Sequence, residues 1–272
     1  MHDPLGDEMK ALERASTSAP FSRSLPIYAR VDGRSFSRFT HAMDRPFDPR
    51  MTQAMLATAT HLLEATHAKA AYVQSDEVSL LWNPGPFGEH FFGGKPQKMA
   101  SVLAGLATAA FTHALLKDTH GLAAWADLLP HFDARVVSMP SRDHATRMFA
   151  WRGQDARRNG LNQIARSYFS SQALQGKSTG EVRQMLAEIG VETDQFPNAS
   201  LNGSLLRKTN VLRALDKAEM QRIPKERRPD ADALFTRSQV VVFDGRHPGI
   251  ITNLEAVLFE GADPEIPRRA AA

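Results

Sequence analysis

The 272-residue chain has no cysteine. That absence removes disulfides, thiolate zinc sites and cysteine nucleophiles together, and it fits a reducing compartment, with the cytoplasm as the expected location. Charge of one sign is scarce as well: 33 Lys and Arg stand against 30 Asp and Glu, a net charge of +3. Such a sum does not announce a nucleic-acid binder, so the distribution of charge along the chain has to decide. The first residues, Met1-His2-Asp3-Pro4, lack a basic start and an apolar run, so no signal peptide is expected. The one long uncharged stretch, 99–116, is Ala-rich and interrupted by Ser101, Thr108, Thr112 and His113. It reads as a buried amphipathic helix that falls short of a membrane span, and its apolar stripe over 102–116 suits either a core or a subunit interface. What is present is ordinary for a folded chain: 42% hydrophobic and 23% charged residues exclude a disordered or collagen-like protein and support a sizeable core.

Local patterns give the order of the elements. Residues 25–31 form an apolar, β-branched run ending at Asp32-Gly33, a strand running into a turn. Asp48 and Pro49 suit the cap and first position of a helix whose Met51, Met55, Leu56, Ala59, Leu62 and Leu63 recur at helical spacing to about Thr66. Strand-like runs at 70–74 and 78–82 flank Ser75-Asp76-Glu77, a polar hairpin turn. A Gly/Pro-rich loop at 83–96 leads to the Ala-rich helix, and a further strand at 132–139 follows. The order β-α-β-β-α-β predicts an α+β fold of the ferredoxin-like type, an antiparallel sheet with helices on one face. Beyond it, helices are expected at about 142–170 and 178–190, then a charged segment at 207–237 and a late strand at 239–243. We expect 1–140 to form the catalytic unit, and 141–272 a helical and C-terminal extension packed on the same core.

The chemistry lies in the carboxylates. The first and third strands of such a sheet are adjacent, so Asp32 at one strand end and Asp76 and Glu77 in the hairpin turn converge. Hard cations such as Mg²⁺ take oxygen ligands and share them with substrate phosphates, so two Asp on neighbouring strand ends suit two-metal phosphoryl or nucleotidyl transfer. Gly33 lets the backbone approach a phosphate, and Arg34, Ser35 and Ser37 follow as donors. The same residues also suit two ordinary acidic turns, which most proteins of this size contain.

The blocks Tyr28-Ala-Arg-Val-Asp-Gly-Arg-Ser-Phe36, Phe39-Thr40, Arg45-Pro-Phe-Asp48, Tyr72-Val-Gln-Ser-Asp-Glu-Val-Ser79, Phe132-Asp-Ala-Arg135 and Trp151-Arg152 with Asp155 and Asn159 are ordered along the chain. Together they resemble the tRNA(His) guanylyltransferase family and its tRNA-repair relatives, over about residues 5–208. The resemblance implies a polymerase-palm-like domain that adds nucleotides, guanosine foremost, to the 5′ end of tRNA, in the 3′-to-5′ direction. ATP first adenylylates the 5′-monophosphate, and the 3′-hydroxyl of GTP or another nucleotide then attacks that activated phosphate. It further implies two Mg²⁺, ATP and GTP as substrates, tRNA as partner and a homotetramer.

Carried onto this chain, Asp32 and Asp76 hold both metals, the Gly33 carbonyl completes one shell and Glu77 supports the site. Arg34, Ser35, Phe36, Ser37 and Ser75 match positions lining the nucleotide pocket, with Phe36 packing on a base or filling the core beneath the turn. Arg45 stands where many members have Lys. Lys95 and Lys98, after Gly93-Gly94, fit a phosphate-binding loop opening a helix, or simply solvated helix flanks.

Residues 142–166 carry Arg142, Arg147, Arg152, Arg157, Arg158 and Arg166 against Asp143 and Asp155, and 207–237 hold nine basic against five acidic residues, each an excess of +4. Two basic patches on a near-neutral chain suit RNA phosphates, or solvated helix faces. Arg152, Asp155, Arg157, Arg158, Asn159 and Lys177 are the candidate tRNA contacts. The eukaryotic members carry His-Ile-Asn-Asn where this chain reads Arg157-Arg158-Asn159-Gly160. The Arg-Asn version looks like the bacterial and archaeal members, which act on truncated or mismatched tRNA 5′ ends by templated addition. The family's usual basic pair before Gly is replaced by Leu201-Asn202-Gly203. A palm-type nucleotide cyclase and a non-catalytic RNA-binding protein remain the alternatives.

Overall fold

The computed structural model describes residues 17–267 except 84, 86, 87 and 118–120, together with 9 and 11. Met1 to Pro4, the first residues of the family-like region and part of the 83–96 loop lie outside the described residues.

Six strands make one antiparallel sheet: β1 (Ile27–Gly33), β2 (Ala70–Gln74), β3 (Glu77–Trp82), β4 (Phe132–Ser138), β5 (Ser204–Ala214) and β6 (Leu234–Asp244). Their order is β4-β1-β3-β2-β5-β6, so the predicted four-stranded unit forms one side and a long β5–β6 hairpin extends it. Two helices cover one face, α1 (Pro49–Ala65) and α2 (Pro96–Lys117). Asp48 caps α1 as its sequence suggests, its carboxylate accepting from the Arg50 backbone N–H at 2.9 Å. Helix α2 is the one described helix long and apolar enough to cross a membrane by length and composition, a threshold its sequence was expected to miss. Its packing gives the apolar face a partner: Met99, Leu103, Ala107, Phe111 and Leu115, every fourth residue, are fully buried in the core cluster shared with β1, β3 and α1.

The expected helical extension packs on the opposite face of the sheet. Alternate residues of the same strands supply a second core: Tyr28, Ala70, Tyr72, Leu81 and Leu205 pack with Ala145, Phe149 and Ala156 of α3 (Arg142–Ala165) and with Leu254, Val257 and Leu258 near the chain's end. The near-continuous apolar runs of β2 and β3 have this cause, since a sheet covered on both sides has no polar face. The expectation for the 207–237 segment is corrected. Residues 207–214 and 234–237 belong to β5 and β6, so Arg207, Lys208, Arg213 and Arg237 stand on strands instead of helix faces, and Arg207 is buried.

One buried ion pair fastens α3 to the sheet. Arg152 and Glu77 are each only 5% exposed; Nε donates to Oε1 at 2.7 Å and Nη2 to Oε2 at 2.5 Å. Arg152 also meets Asp155 at 3.0 Å, and Arg30 approaches Glu77 at 3.9 Å. Removing one member leaves the other charge buried and uncompensated. Arg152→Met is therefore expected to cost about 3–5 kcal/mol in urea unfolding, with partial recovery on adding Glu77→Gln. A loss well under 1 kcal/mol would show that α3 is held by its apolar face alone.

Candidate active site

The end of β1 and the start of β3 carry the site because the chain turns sharply after β1 and again between β2 and β3. Ser35 and Ser75 both adopt positive φ, 57° and 48°, and Ser75-Asp76 forms a two-residue hairpin loop between the paired residues Gln74 and Glu77. The Gly33 N–H donates to the Asp76 carbonyl at 3.0 Å, which ties the two turns together. Gly33 is needed there for space, since a Cβ would meet the Phe36 ring at 2.4 Å.

Asp32, Gly33, Ser35, Phe36, Ser37, Arg45, Ser75, Asp76 and Asn159 line one cavity of about 860 Å³ at this edge of the sheet. The structure thus brings together nine of the residues singled out from sequence. Phe36 belongs chiefly to the core: it is 3% exposed, with ring centroids of Phe39 and Phe132 at 5.0 Å and Phe111 at 5.4 Å. It floors the cavity and presents no face for stacking on a base.

Burial pushes the Asp76 carboxyl up to about 6, with the Asp32 charge adding to the shift and the Ser75 side chain opposing it. Asp32 is also raised, by burial first; Arg30 pulls against this and Asp133, its cross-strand partner on β4, reinforces it. Two carboxyls that resist ionisation together are a donor set that a divalent cation would relieve. No group of three or more metal-ligating side chains occurs among the described residues, so a cation here would draw its remaining ligands from backbone, water or substrate.

Other expected site residues lie elsewhere. Glu77 points to the opposite face from Asp76 and is committed to Arg152, so neither lines the cavity, and Arg152 is too buried to meet tRNA. Arg34 is exposed beside the cavity, its backbone N–H held by the His131 carbonyl at 2.9 Å. Lys98 sits 4.7 Å over the Phe92 ring, and neighbouring Phe91 stacks on Trp82, the end of β3 remote from Asp76. Lys95 and Lys98 are therefore a strand length away, roughly 16 Å, and no phosphate loop forms at the cavity. Arg158 pairs with Asp155, Arg157 donates to the Asn202 side chain at 2.9 Å, and Lys177 pairs with Glu181 at 3.3 Å near the start of a helix at Thr179–Glu188.

Sequence reasoning missed Asn162 and Gln163, which line the α3 side of the cavity together with Arg166 of the 142–166 basic run. Their spacing from Asn159, three, four and seven residues on, was the available signal. The two departures noted in sequence meet in space: a Cβ on Gly160 would lie 2.7 Å from the Leu201 carbonyl, so glycine admits the short helix Asn198–Asn202 against α3.

A carboxyl raised in the folded chain holds its proton more tightly there than when unfolded, so stability falls as pH rises from about 4 to about 6. In metal-free protein, Asp76→Asn is expected to be more stable than wild type at pH 7 by about 1–3 kcal/mol, the gain shrinking towards pH 4. Equal or lower stability at pH 7, measured by urea unfolding, would contradict this environment for Asp76.

Comparison with known proteins agrees with the geometry. The family described as "Thg1: tRNAHis guanylyltransferase" matches residues 6–140. A probable tRNA(His) guanylyltransferase of Drosophila melanogaster is 26% identical over 200 residues, 68% of this chain and 68% of that protein. The tRNA(His) guanylyltransferase of Debaryomyces hansenii is 24% identical over 223 residues, covering 74% and 82%. Among solved structures, a bacterial tRNA(His) guanylyltransferase (Thg1)-like protein in complex with ATP aligns with a TM-score of 0.68 and 28% identity over 75% of this chain and 88% of that one. A bacterial protein of the same description in complex with GTP gives 0.67 and 25% over 91% and 94%. With the palm-type sheet and the paired aspartates in place, the chain belongs to the tRNA(His) guanylyltransferase family.

Proposed function

We propose that this protein is a nucleotidyltransferase that adds nucleotides to the 5′ end of tRNA, with the cavity at the ends of β1 and β3 as its active site. The observation that carries the reading is the convergence of Asp32 and Asp76, on adjoining strand ends, at a cavity also lined by Ser35, Ser37, Ser75 and Arg45. The relatives' complexes with ATP and GTP support nucleotides as its substrates.

In this reading a 5′-phosphate oxygen of tRNA attacks the α-phosphorus of ATP, pyrophosphate leaves and the 5′ end is adenylylated. The 3′-hydroxyl of GTP or another nucleotide then attacks the 5′-phosphate, AMP leaves and the chain is one nucleotide longer. Both steps are displacements at phosphorus, in which positioning and charge neutralisation do most of the work. Asp32 and Asp76, with the Gly33 carbonyl, are the residues that would hold two Mg²⁺, which when bound supply neutralisation of the phosphate charge. The serine hydroxyls donate to phosphate oxygens. Arg45, tethered to the Thr40 carbonyl at 3.4 Å, offers a planar fork to a triphosphate. The homotetramer and the cytoplasmic location are further parts of the proposal, supported by the family resemblance and the lack of cysteine respectively.

The test is incubation with Mg²⁺, ATP, GTP and tRNAs, comparing tRNA(His) with 5′-truncated tRNAs whose opposing template base is varied. The RNA is expected to lengthen at its 5′ end, and Asp32→Ala or Asp76→Ala to slow this by more than about a hundredfold while the chain stays folded. No lengthening of any tRNA, or nucleotide cyclisation without RNA, would overturn the reading. Full activity in both variants would remove the metal assignment.

A further inference from the structure

The α3 side of the cavity carries chemistry that the aspartates do not explain. Asn159, Asn162, Gln163 and Arg166 recur at one helix face and all line the cavity, while Leu161, Ile164 and Ala165 on the other side are buried in a third apolar cluster. This polar stripe therefore forms the α3 rim of the cavity, with Asn162 and Gln163 half-buried and Asn159 and Arg166 exposed at its mouth. Two of its members are engaged: Asn159 reaches Asp155 at 3.4 Å, and Gln163 donates to the Pro46 carbonyl at 2.5 Å, tying the Arg45 loop to this end of α3. Among the described residues the Asn162 amide and the Arg166 guanidinium have no hydrogen-bond or ion-pair partner.

The balance of charge points the same way. Asp32, Asp44, Asp48 and Asp76 line the cavity, and Arg45 and Arg166 are the cations among its lining residues. Asp48 is satisfied by Arg50 at 2.6 Å, and Arg50 also approaches Asp44 at 4.0 Å. Arg166 pairs with none of the four, and its exposed guanidinium is open to a ligand at the cavity mouth.

We propose that Arg166 and Asn162 form a phosphate-binding subsite on the α3 wall, which holds the terminal phosphate of a substrate across the cavity from the aspartates. Residues four apart on a helix face are neighbours, so a guanidinium fork and an amide N–H can grip one tetrahedral group. The shared chemistry is a terminal phosphate, carried either by the 5′ end of an RNA or by a nucleoside triphosphate. The subsite deepens the proposed function and rests on it for the identity of the ligand. Arg166 is also the C-cap of α3, where a cation offsets the helix dipole. That role is indifferent to the ligand, so the test has to depend on the ligand's phosphate.

Binding of three probes separates these roles: a tRNA with a 5′-monophosphate, the same tRNA with a 5′-hydroxyl, and GTP, each titrated at fixed salt against wild type, Arg166→Met and Asn162→Ala. Arg166→Met is expected to weaken the phosphorylated tRNA or GTP by about tenfold or more, and to leave the 5′-hydroxyl tRNA within about twofold. Asn162→Ala should weaken the same probe by a smaller factor. The probe that loses affinity identifies the source of the phosphate. Unchanged affinity for both phosphate-bearing probes, or an equal loss for the 5′-hydroxyl tRNA, would overturn the subsite. Wild-type protein that binds these probes but lengthens no tRNA would sink the proposed function and leave the subsite standing; active protein indifferent to both substitutions would do the reverse.

Discussion

Two neighbouring carboxylates at one hairpin turn are put to opposite uses, and the site depends on that division. Glu77 is the first residue of β3 and is drawn to the α3 face by the buried Arg152. Asp76, one residue earlier, sits in the turn and lines the cavity. Because strand side chains alternate, fixing Glu77 on one face fixes the register of the whole strand and hence the place of Asp76. The pair also locates α3, whose last turns form the far wall of the cavity. A buried ion pair is poor evidence for net stability, but breaking one is costly, so it suits a geometric constraint.

The cavity's electrostatics follow from this frame. Burial raises both Asp32 and Asp76; the Asp32 charge adds to the shift of Asp76, and Asp133 across the β1–β4 ladder adds to that of Asp32. Their neighbours on the cavity wall are hydroxyls and a single nearby arginine loop, with the second arginine on α3. Such a site has excess negative charge until cations arrive, and it offers phosphate contacts on two walls once they do. The modest net charge of +3 thus combines an acidic centre with basic segments elsewhere.

Much of this was legible locally. The cap and Pro at the start of α1, the strand ending at Asp32-Gly33 and the Ser75-Asp76 turn are written in adjacent residues, and they hold in the structure. What failed depended on distant partners. The pairing of β5 with β2 and β6 joins residues more than a hundred positions apart or across a charged loop, which no local period encodes. Arg152 looked like an RNA contact because arginine usually stays exposed, and its burial is apparent only with Glu77 beside it. Lys95 and Lys98 follow a glycine pair that resembles a phosphate loop, yet α2 begins at the wrong end of the sheet. The α3 stripe had the right spacing, but nothing in sequence said that its polar side lined a cavity.

The central claim is that Asp32 and Asp76 are where metal and nucleotide meet. Its most direct test is a crystal of the protein grown with GTP and Mn²⁺, read by anomalous scattering. The account predicts manganese peaks between the carboxylates of Asp32 and Asp76, with the triphosphate against Ser35, Ser37 and Ser75. Nucleotide bound with its metal at any other place on the chain would contradict it.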